Sequence, residues 1–281
     1  MAVTKLSTSG LISFARYNSM LAGNTAFSTY PAFLNSAPLW LDASDSATIT
    51  QSSGSVSQWD NKGTLENFVQ ATGASQPTTN ATTLNGLNVI DFASDFMNGQ
   101  TLANWKFMHD GTDYFIASVV KYGTVANPNA YYVLIGSNGG TSNAHGVFVA
   151  YDNRTGIRTD AQTVFITRNV SASSAVSIND ENFLTPNDFI INSMLLDPDN
   201  ATAANRISYF SDNIEGTDNN AVTNAPSTSN PSHILQLGAE GRDGGTMTGS
   251  IAELIVVSGS DATETNRQAT VDYLNTKWSV F

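Results

Sequence analysis

The chain contains no cysteine, which excludes disulfides, thiolate metal sites and cysteine nucleophiles, and leaves no redox mark of its compartment. Cations are also scarce: 12 Lys and Arg stand against 24 Asp and Glu, for a net charge of −12. Affinity for DNA or RNA rests largely on Lys and Arg releasing counterions from phosphates, so a nucleic-acid partner is not expected. Anionic membrane surfaces are disfavoured for the same reason, and no apolar run is long enough to span a bilayer. The start, "MAVTKLSTSGLISFARYNSMLAGNTAF", shows no apolar run of signal-peptide length followed by a cleavage site, so general secretion is not expected. Charged residues make up only 13%, about half the roughly 25% usual in globular domains. Ser, Thr and Asn supply the polar surface instead.

What is present is a succession of short segments rich in Val, Ile, Phe and Tyr. "GLNVIDF" (86–92), "DYFIASVVKY" (113–122), "AYYVLIGS" (130–137), "HGVFVAYD" (145–152), "QTVFITRN" (162–169), "DFIINSMLLD" (188–197), "NRISYFSD" (205–212), "SHILQLGAE" (232–240) and "GSIAELIVVSG" (249–259) have strand composition. Between them "SNGGTSN", "YDNRTG", "DPDN" and "RDGG" provide Gly, Asn and Asp for turns with positive φ. The pattern predicts an all-β, two-sheet antiparallel sandwich of jelly-roll type. One helix is predicted near 261–278, with Asp261 as its cap, Glu264 as reciprocal partner, and Val271, Leu274 and Trp278 on one face against the sandwich.

Residues 1–36 differ from the rest, being punctuated by Gly, Ser and Asn with no sustained period. The apolar side chains Leu11, Ile12, Phe14, Tyr17, Leu21 and Phe27 are more than a disordered tail usually carries, so the segment is predicted to be an extended anchoring arm that docks onto another chain. The alternative is that it folds back as an extra edge strand. The sandwich domain then occupies 37–281.

"LWLDASDSATIT", "GSVSQWDNKG", "QPTTNATTLNGLNVIDF", "LQLGAEGRDGGTMTGSIAELIVVSG" and "ATETNRQATVDYLNTKW", in this order over about residues 38–278, resemble the concanavalin A-like, laminin-G-like jelly-roll superfamily in its bacteriophage and marine bacterial forms. "GLISFARYNSMLAGNTAF" is similar to N-termini of structural proteins of tailed phages. The resemblance implies a non-enzymatic virion protein, a capsid decoration or tail appendage held by its arm. It would be assembled in the host cytoplasm with other virion proteins and copies of itself. The alternative is an adhesin module that binds host surface glycans.

Catalysis is not expected. A glycosidase needs two carboxylates about 5–5.5 or 6.5–9.5 Å apart, and the Glu-x-Asp-x-(x)-Glu strand motif of glucanases in this superfamily is absent. Asp180 and Glu181 are adjacent and would face opposite sides of a strand, while Glu253 stands alone. His109, His145 and His233 lack nucleophile-elbow or zinc-helix context. No cofactor is expected, except that calcium could sit on an acidic turn: Asp42 and Asp45, Asp152 and Asn153, or Asp197, Asp199 and Asn200. A glycan site needs an aromatic ring beside hydrogen-bonding groups, and Tyr131, Tyr132, Tyr151, Asp152 and Asn153 are the candidates. Trp40 and Trp59, each followed within two residues by Asp, read as packing residues, with Asp60 and Asn61 bonding a turn.

Overall fold

The computed structural model describes residues 30–123, 131–139, 144–154, 160–167, 175–180, 183–197, 200–202, 205–217 and 227–281, with backbone alone for 162–167 and 175–180. In chain order the strands are β1 (Leu39–Asp42), β2 (Ile49–Ser52), β3 (Ser55–Trp59), β4 (Phe68–Val69), β5 (Thr78–Leu84), β6 (Leu87–Asp95), β7 (Met97–Asn98), β8 (Tyr114–Tyr122) and β9 (Tyr131–Gly136). They continue with β10 (Gly146–Asp152), β11 (Ala161–Thr167), β12 (Ala175–Asp180), β13 (Phe189–Leu196), β14 (Ile207–Ser211), β15 (Ile214–Glu215), β16 (Gln236–Leu237) and β17 (Met247–Ser258), and helix α1 spans Glu264–Trp278. Every strand pairing among the described residues is antiparallel.

The protein is an all-β sandwich. One layer runs β15-β14-β13-β8-β17, with β1 and β6 sharing the far edge of β17 and β5 beyond β6. The other runs β12-β11-β10-β9-β16-β7-β4-β3-β2. A single pairing, Ser55 with Thr78, joins the layers at one margin.

Strand alternation distributes the apolar residues between two cores. Leu41, Ile116, Val120, Met194, Leu254 and Val256 of the first layer meet Tyr132, Leu134, Val147, Val149 and Tyr151 of the second. On the opposite face of the first layer, Trp40, Phe115, Ala117, Val119, Ile255 and Val257 meet Val271, Leu274 and Trp278 of α1. The predicted helical stripe is therefore the buried one. Each fully buried aliphatic or aromatic side chain contributes on the order of 1.5–3 kcal/mol.

The cap differs from the prediction. Thr263 is the N-cap and its hydroxyl accepts from Asn266 N, whereas Asp261 ends a short 3₁₀ turn and offers its carbonyl to Asn266 Nδ2. Glu264 forks onto the buried Arg267 at 2.6 and 2.7 Å rather than back to a cap. The Arg267 Nη1 group reaches Ser193 at 2.9 Å, and its guanidinium lies 3.5 Å from the Phe210 ring centroid.

Between α1 and the first layer lies a buried polar cluster. In β17 the residue Ala252 is extra with respect to β8, as the register steps from Ile251↔Val120 to Glu253↔Val119. This bulge brings Glu253 onto the helix side, whereas unbroken alternation would keep it on the inter-sheet face with Ile251. There Trp40 Nε1, Trp278 Nε1, the Tyr273 hydroxyl and Lys277 Nζ all donate to it at 2.7–2.8 Å. Lys277 also donates to Asp42 at 2.7 Å, and Asp42 pairs with Glu253 across β1 and β17. Burial pushes Asp42 up, but Lys277, Ser44 and Lys62 outweigh it and hold this carboxyl below its ordinary value. At Glu253 burial and the Asp42 charge prevail over Lys277, and the carboxyl is pushed up. Glu253 is thus not isolated, as expected from sequence, but it is fully buried and closed to substrate.

Other departures from expectation have local causes. Of the predicted strand 232–240 only Gln236 and Leu237 pair, because Gly238 turns at φ +75° and the chain loops out. The strands at 78–84 and 175–180 were not expected: one is Thr- and Asn-rich, the other Ser- and Asn-punctuated. Residues 102–108 form a 3₁₀ helix, tied down by Glu66, which accepts from Trp105 Nε1 at 2.8 Å, Thr101 N at 3.1 Å and Asn104 Nδ2. Burial raises the Glu66 carboxyl, but these donors win and hold it below its ordinary value. Its contribution is therefore present above the unfolded-state pKa and is lost as pH falls through the folded one. Glu66→Ala is expected to cost about 1.5–3 kcal/mol, the scale of hydrogen bonds to a charged group, in urea denaturation at pH 7, with a smaller deficit at pH 3.

Trp59 is fully buried in the inter-sheet core, and Trp40 lies beneath α1 with Tyr30 against it at 4.6 Å. Asn61 links the two regions, accepting from Trp40 N and Gly63 N at 2.8 Å and donating to Pro38 O and Leu65 O. Within the predicted arm, residues 32–36 form a 3₁₀ turn that buries Leu34 against the helix-side core. Leu11, Ile12, Phe14, Tyr17, Leu21 and Phe27 lie outside the described residues. Among the described residues no helix is long and apolar enough to cross a membrane.

Candidate functional site

The outer face of the second layer, around β9 and β10, has no helix over it among the described residues. Strand alternation decides which of the five candidate residues reach it. Tyr131 pairs with Asp152 across the two strands, so both lie on this outer face, together with Val133, Phe148 and Ala150. Tyr132 and Tyr151 are their immediate chain neighbours and point the other way. Both sit in the inter-sheet core, 8% and 1% exposed, with rings stacked at 6.4 Å. Tyr151 stacks on Tyr122 as well, and its hydroxyl donates to Asp160. Tyr132 and Tyr151 are packing residues, not a sugar platform. Asn153 is half-buried beside the Tyr151 hydroxyl.

Around Tyr131 the fold assembles groups that are distant in sequence. Arg154 follows Asp152 by two positions and folds back, bonding the buried Asp152 carboxylate through Nε at 2.9 Å and Nη2 at 2.7 Å. Its guanidinium then lies 5.2 Å from the Tyr131 ring centroid, and Phe148 stacks on the same ring at 5.6 Å. The Tyr131 hydroxyl donates to Glu240. Burial and this acceptor push its pKa up, so Tyr131 stays protonated and a donor.

Glu240 and Arg242 come from the loop between β16 and β17. Gln236 fixes that loop: its carbonyl oxygen accepts from Gly241 N at 2.8 Å and Asp243 N at 3.1 Å, while its amide donates to Asn98 at 2.8 Å and to Asp243. Gly245, at φ +59°, lets the loop close on the aromatic pair, since a Cβ there would stand 2.7 Å from the Tyr131 ring. Arg242 is half exposed and lies 3.8 Å from Glu240, beyond hydrogen-bond distance. It rests on Gly139, φ +68°, where Arg242 Nε and His233 Nε2 each lie 2.7 Å from the point a Cβ would occupy. His233 is held by its main-chain N–H to Ser137 O at 3.1 Å.

The carboxylates of this face already have donors, Asp152 from Arg154 and Glu240 from Tyr131. The guanidinium groups keep N–H groups over. Five N–H groups belong to each arginine; Arg154 uses two side-chain nitrogens on Asp152, and Arg242 makes no hydrogen bond among the described residues. The face is therefore suited to an acceptor-rich, anionic group. Phe148, Arg154, His233, Glu240 and Arg242 were missed from sequence; only Arg154 carried a signal, its place two residues after Asp152.

The calcium candidates hold other partners. Asp42 is bound to Lys277 and Lys62, Asp45 to Lys62, and Asp152 to Arg154. Asp197 accepts from Asn200 Nδ2 within a turn, and Asp199 lies outside the described residues. No group of three or more metal-ligating side chains occurs among the described residues. Of the acidic neighbours Asp180 and Glu181, the first ends β12 and the second lies outside the described residues.

No protein-family model and no curated protein matches the chain. Among solved structures it is similar to the CBM40 of the Ruminococcus gnavus IT-sialidase bound to α2,3-sialyllactose, with TM-score 0.40 and 12% identity over 58% of this chain and 82% of that one. It is similar also to the K499G mutant of the NanB sialidase from Streptococcus pneumoniae, with TM-score 0.46 and 14% identity over 65% of this chain and 27% of that one. A third likeness is the binding domain of botulinum neurotoxin DC in complex with rat synaptotagmin II, with TM-score 0.47 and 8% identity over 88% and 53%. At these scores and identities the likenesses say nothing of what this chain binds. None of these three is a phage protein, and the virion role expected from the sequence gains no support from them.

Proposed function

We propose that this chain is a non-catalytic carbohydrate-binding module that takes an acidic sugar on the outer face of β9 and β10. The observation that carries the reading is the pair of guanidinium groups, Arg154 and Arg242, flanking Tyr131 and Glu240 with donors unspent in a chain of net charge −12. In a cation-poor protein, Arg154 lies against Tyr131 and Arg242 near Glu240, and each keeps N–H groups that no described residue accepts. A sugar carboxylate accepts such donors in bidentate fashion, while the ring's apolar C–H groups suit the part-exposed ring of Tyr131, which Phe148 backs from beneath. Lectin sites occur on jelly-roll sandwiches, and the concanavalin A-like resemblance of the sequence agrees with the two-layer architecture; both are fold-level analogies.

Titration calorimetry with 3′-sialyllactose and glucuronate, against lactose as the neutral control, tests the reading. The acidic sugars are expected to bind and lactose to bind at least ten-fold more weakly. Arg242→Ala is expected to weaken the acidic sugars about ten- to one-hundred-fold, the range for hydrogen bonds to a charged group. Its melting temperature should stay close to wild type, because Arg242 makes no hydrogen bond among the described residues. Tighter binding of lactose than of either acidic sugar, or an Arg242→Ala variant that binds as wild type does, would sink the assignment.

A further inference from the structure

The chain has three histidines, 109, 145 and 233, and the fold brings the elements that carry them together at one edge of the proposed site. His109 is fully buried, with Nε2 on Ser229 O at 2.9 Å and its ring 6.0 Å from that of His145. His145 and Ser232 are bonded both ways, His145 N to Ser232 Oγ and Ser232 N to His145 O, each at 2.9 Å. The next residue is His233, with Cβ against Gly241 and ring against Gly139. The segment 229–233 is thus strapped down at three points, and His233 is presented beside Arg242 by a fixed backbone.

We infer that His233 is a specificity-determining residue of the proposed site: when the carboxylate of an acidic sugar docks on Arg242, the His233 imidazole takes up a proton and its charge joins in holding the ligand. The inference rests on the acidic-sugar reading above and deepens it. Two charged groups face the ring, Arg242 and Glu240, both from the loop between β16 and β17. The Glu240 carboxylate is engaged by the Tyr131 hydroxyl, and Asp243 in the same loop is held by Gln236. The ring itself makes no hydrogen bond among the described residues. Burial, and then the Arg242 charge, lower the proton affinity of His233 against the opposing pull of Glu240. In the free protein the imidazole is accordingly neutral at pH 7.

An anion placed on Arg242 cancels that repulsion and reverses the sign of the field at His233. Proton binding and carboxylate binding then favour one another by the same factor. The free pKa lies below the bound one, so affinity for an acidic sugar rises as pH falls through the interval between them. A neutral sugar leaves His233 unprotonated and shows no such rise.

The experiment is calorimetric titration of the full chain with 3′-sialyllactose and with glucuronate at pH 5.5 and 7.5, at pH 6.5 in two buffers of different ionisation enthalpy, and with His233→Gln. Wild type should bind both acidic sugars about five-fold or more tightly at the lower pH, the low end of ordinary site–site coupling, and should show net proton uptake from the buffer comparison. In His233→Gln both effects should vanish. Binding by wild type without pH dependence or proton uptake overturns the role of His233 and leaves the site standing, as does a His233→Gln variant with undiminished pH dependence. Failure of both acidic sugars to bind at either pH overturns the site and this inference together. Proton uptake is read on wild type alone, so the outcome does not depend on the variant folding.

Discussion

Lys277→Met is expected to destabilise the fold by about 3–5 kcal/mol at pH 7, the range for breaking a buried ion pair from one side. Lys277 is the ammonium placed between Asp42 and Glu253, with 2.7 Å contacts to each and a side chain only 3% exposed. Its loss leaves two carboxylates facing one another in a nearly dry space, with Lys62 reaching only Asp42 and Asp45. The methionine restores the packing of the aliphatic stem but none of the charge, so the cost is electrostatic. Without the ammonium the folded-state pKa values of both carboxyls rise, and a raised folded pKa adds stability as pH falls. The deficit measured by urea denaturation should therefore shrink between pH 7 and pH 5. Adding Glu253→Gln should recover a large part of it, since the two residues are in direct contact and couple. A deficit that grows on acidification, or a double variant as unstable as the sum of the singles, would show that the cluster is not held by charge.

Trp59→Ala is expected to cost about 3–5 kcal/mol, as for other fully buried large aromatics cut back to a methyl group. Trp59 ends β3 with its ring in the inter-sheet core, opposite Ile49 in β2 and Phe68 in β4. Both neighbours belong to two short pairings at one end of the second layer, which cannot move inward without breaking them. The cavity would stay open. The indole Nε1 has no hydrogen-bond partner among the described residues, so the contribution of Trp59 is packing alone. Trp59→Phe should accordingly cost less than half as much. Equal losses for the two variants in guanidinium denaturation would mean that the nitrogen, not the ring volume, is what the site requires.

These two clusters show where reading the chain as a string succeeds. Alternation in "PLWLDA" is enough to send Leu39 and Leu41 one way and Trp40 the other, and the two faces are the two cores. The same rule, applied to the glycan candidates, would have separated Tyr131 from Tyr132 and Tyr151 from Asp152, because adjacent residues of a strand cannot share a face. It fails at Glu253, where one extra residue in β17 reverses the alternation and converts a carboxylate that reads as isolated into the acceptor of four donors. A bulge is set by pairing with a neighbouring strand, and the partner strand β8 lies more than a hundred residues away in sequence.

The sequence by itself determined that the chain is an all-β sandwich with a C-terminal helix, and which face of that helix is buried. Those properties follow from side-chain period and turn residues, which are local. Only the tertiary structure decided the site. Tyr131 lies on β9, Arg154 just past the end of β10, His233 ahead of β16, and Glu240 and Arg242 in the loop between β16 and β17, so no helix or strand period links these regions. What joins them is the closure of the loop after Gln236 onto β9, made by backbone hydrogen bonds from Gly139 to Glu240 and from Val133 to Gly245. Such bonds use main-chain groups that every residue has, so they leave no trace in the identity of the side chains they bring together.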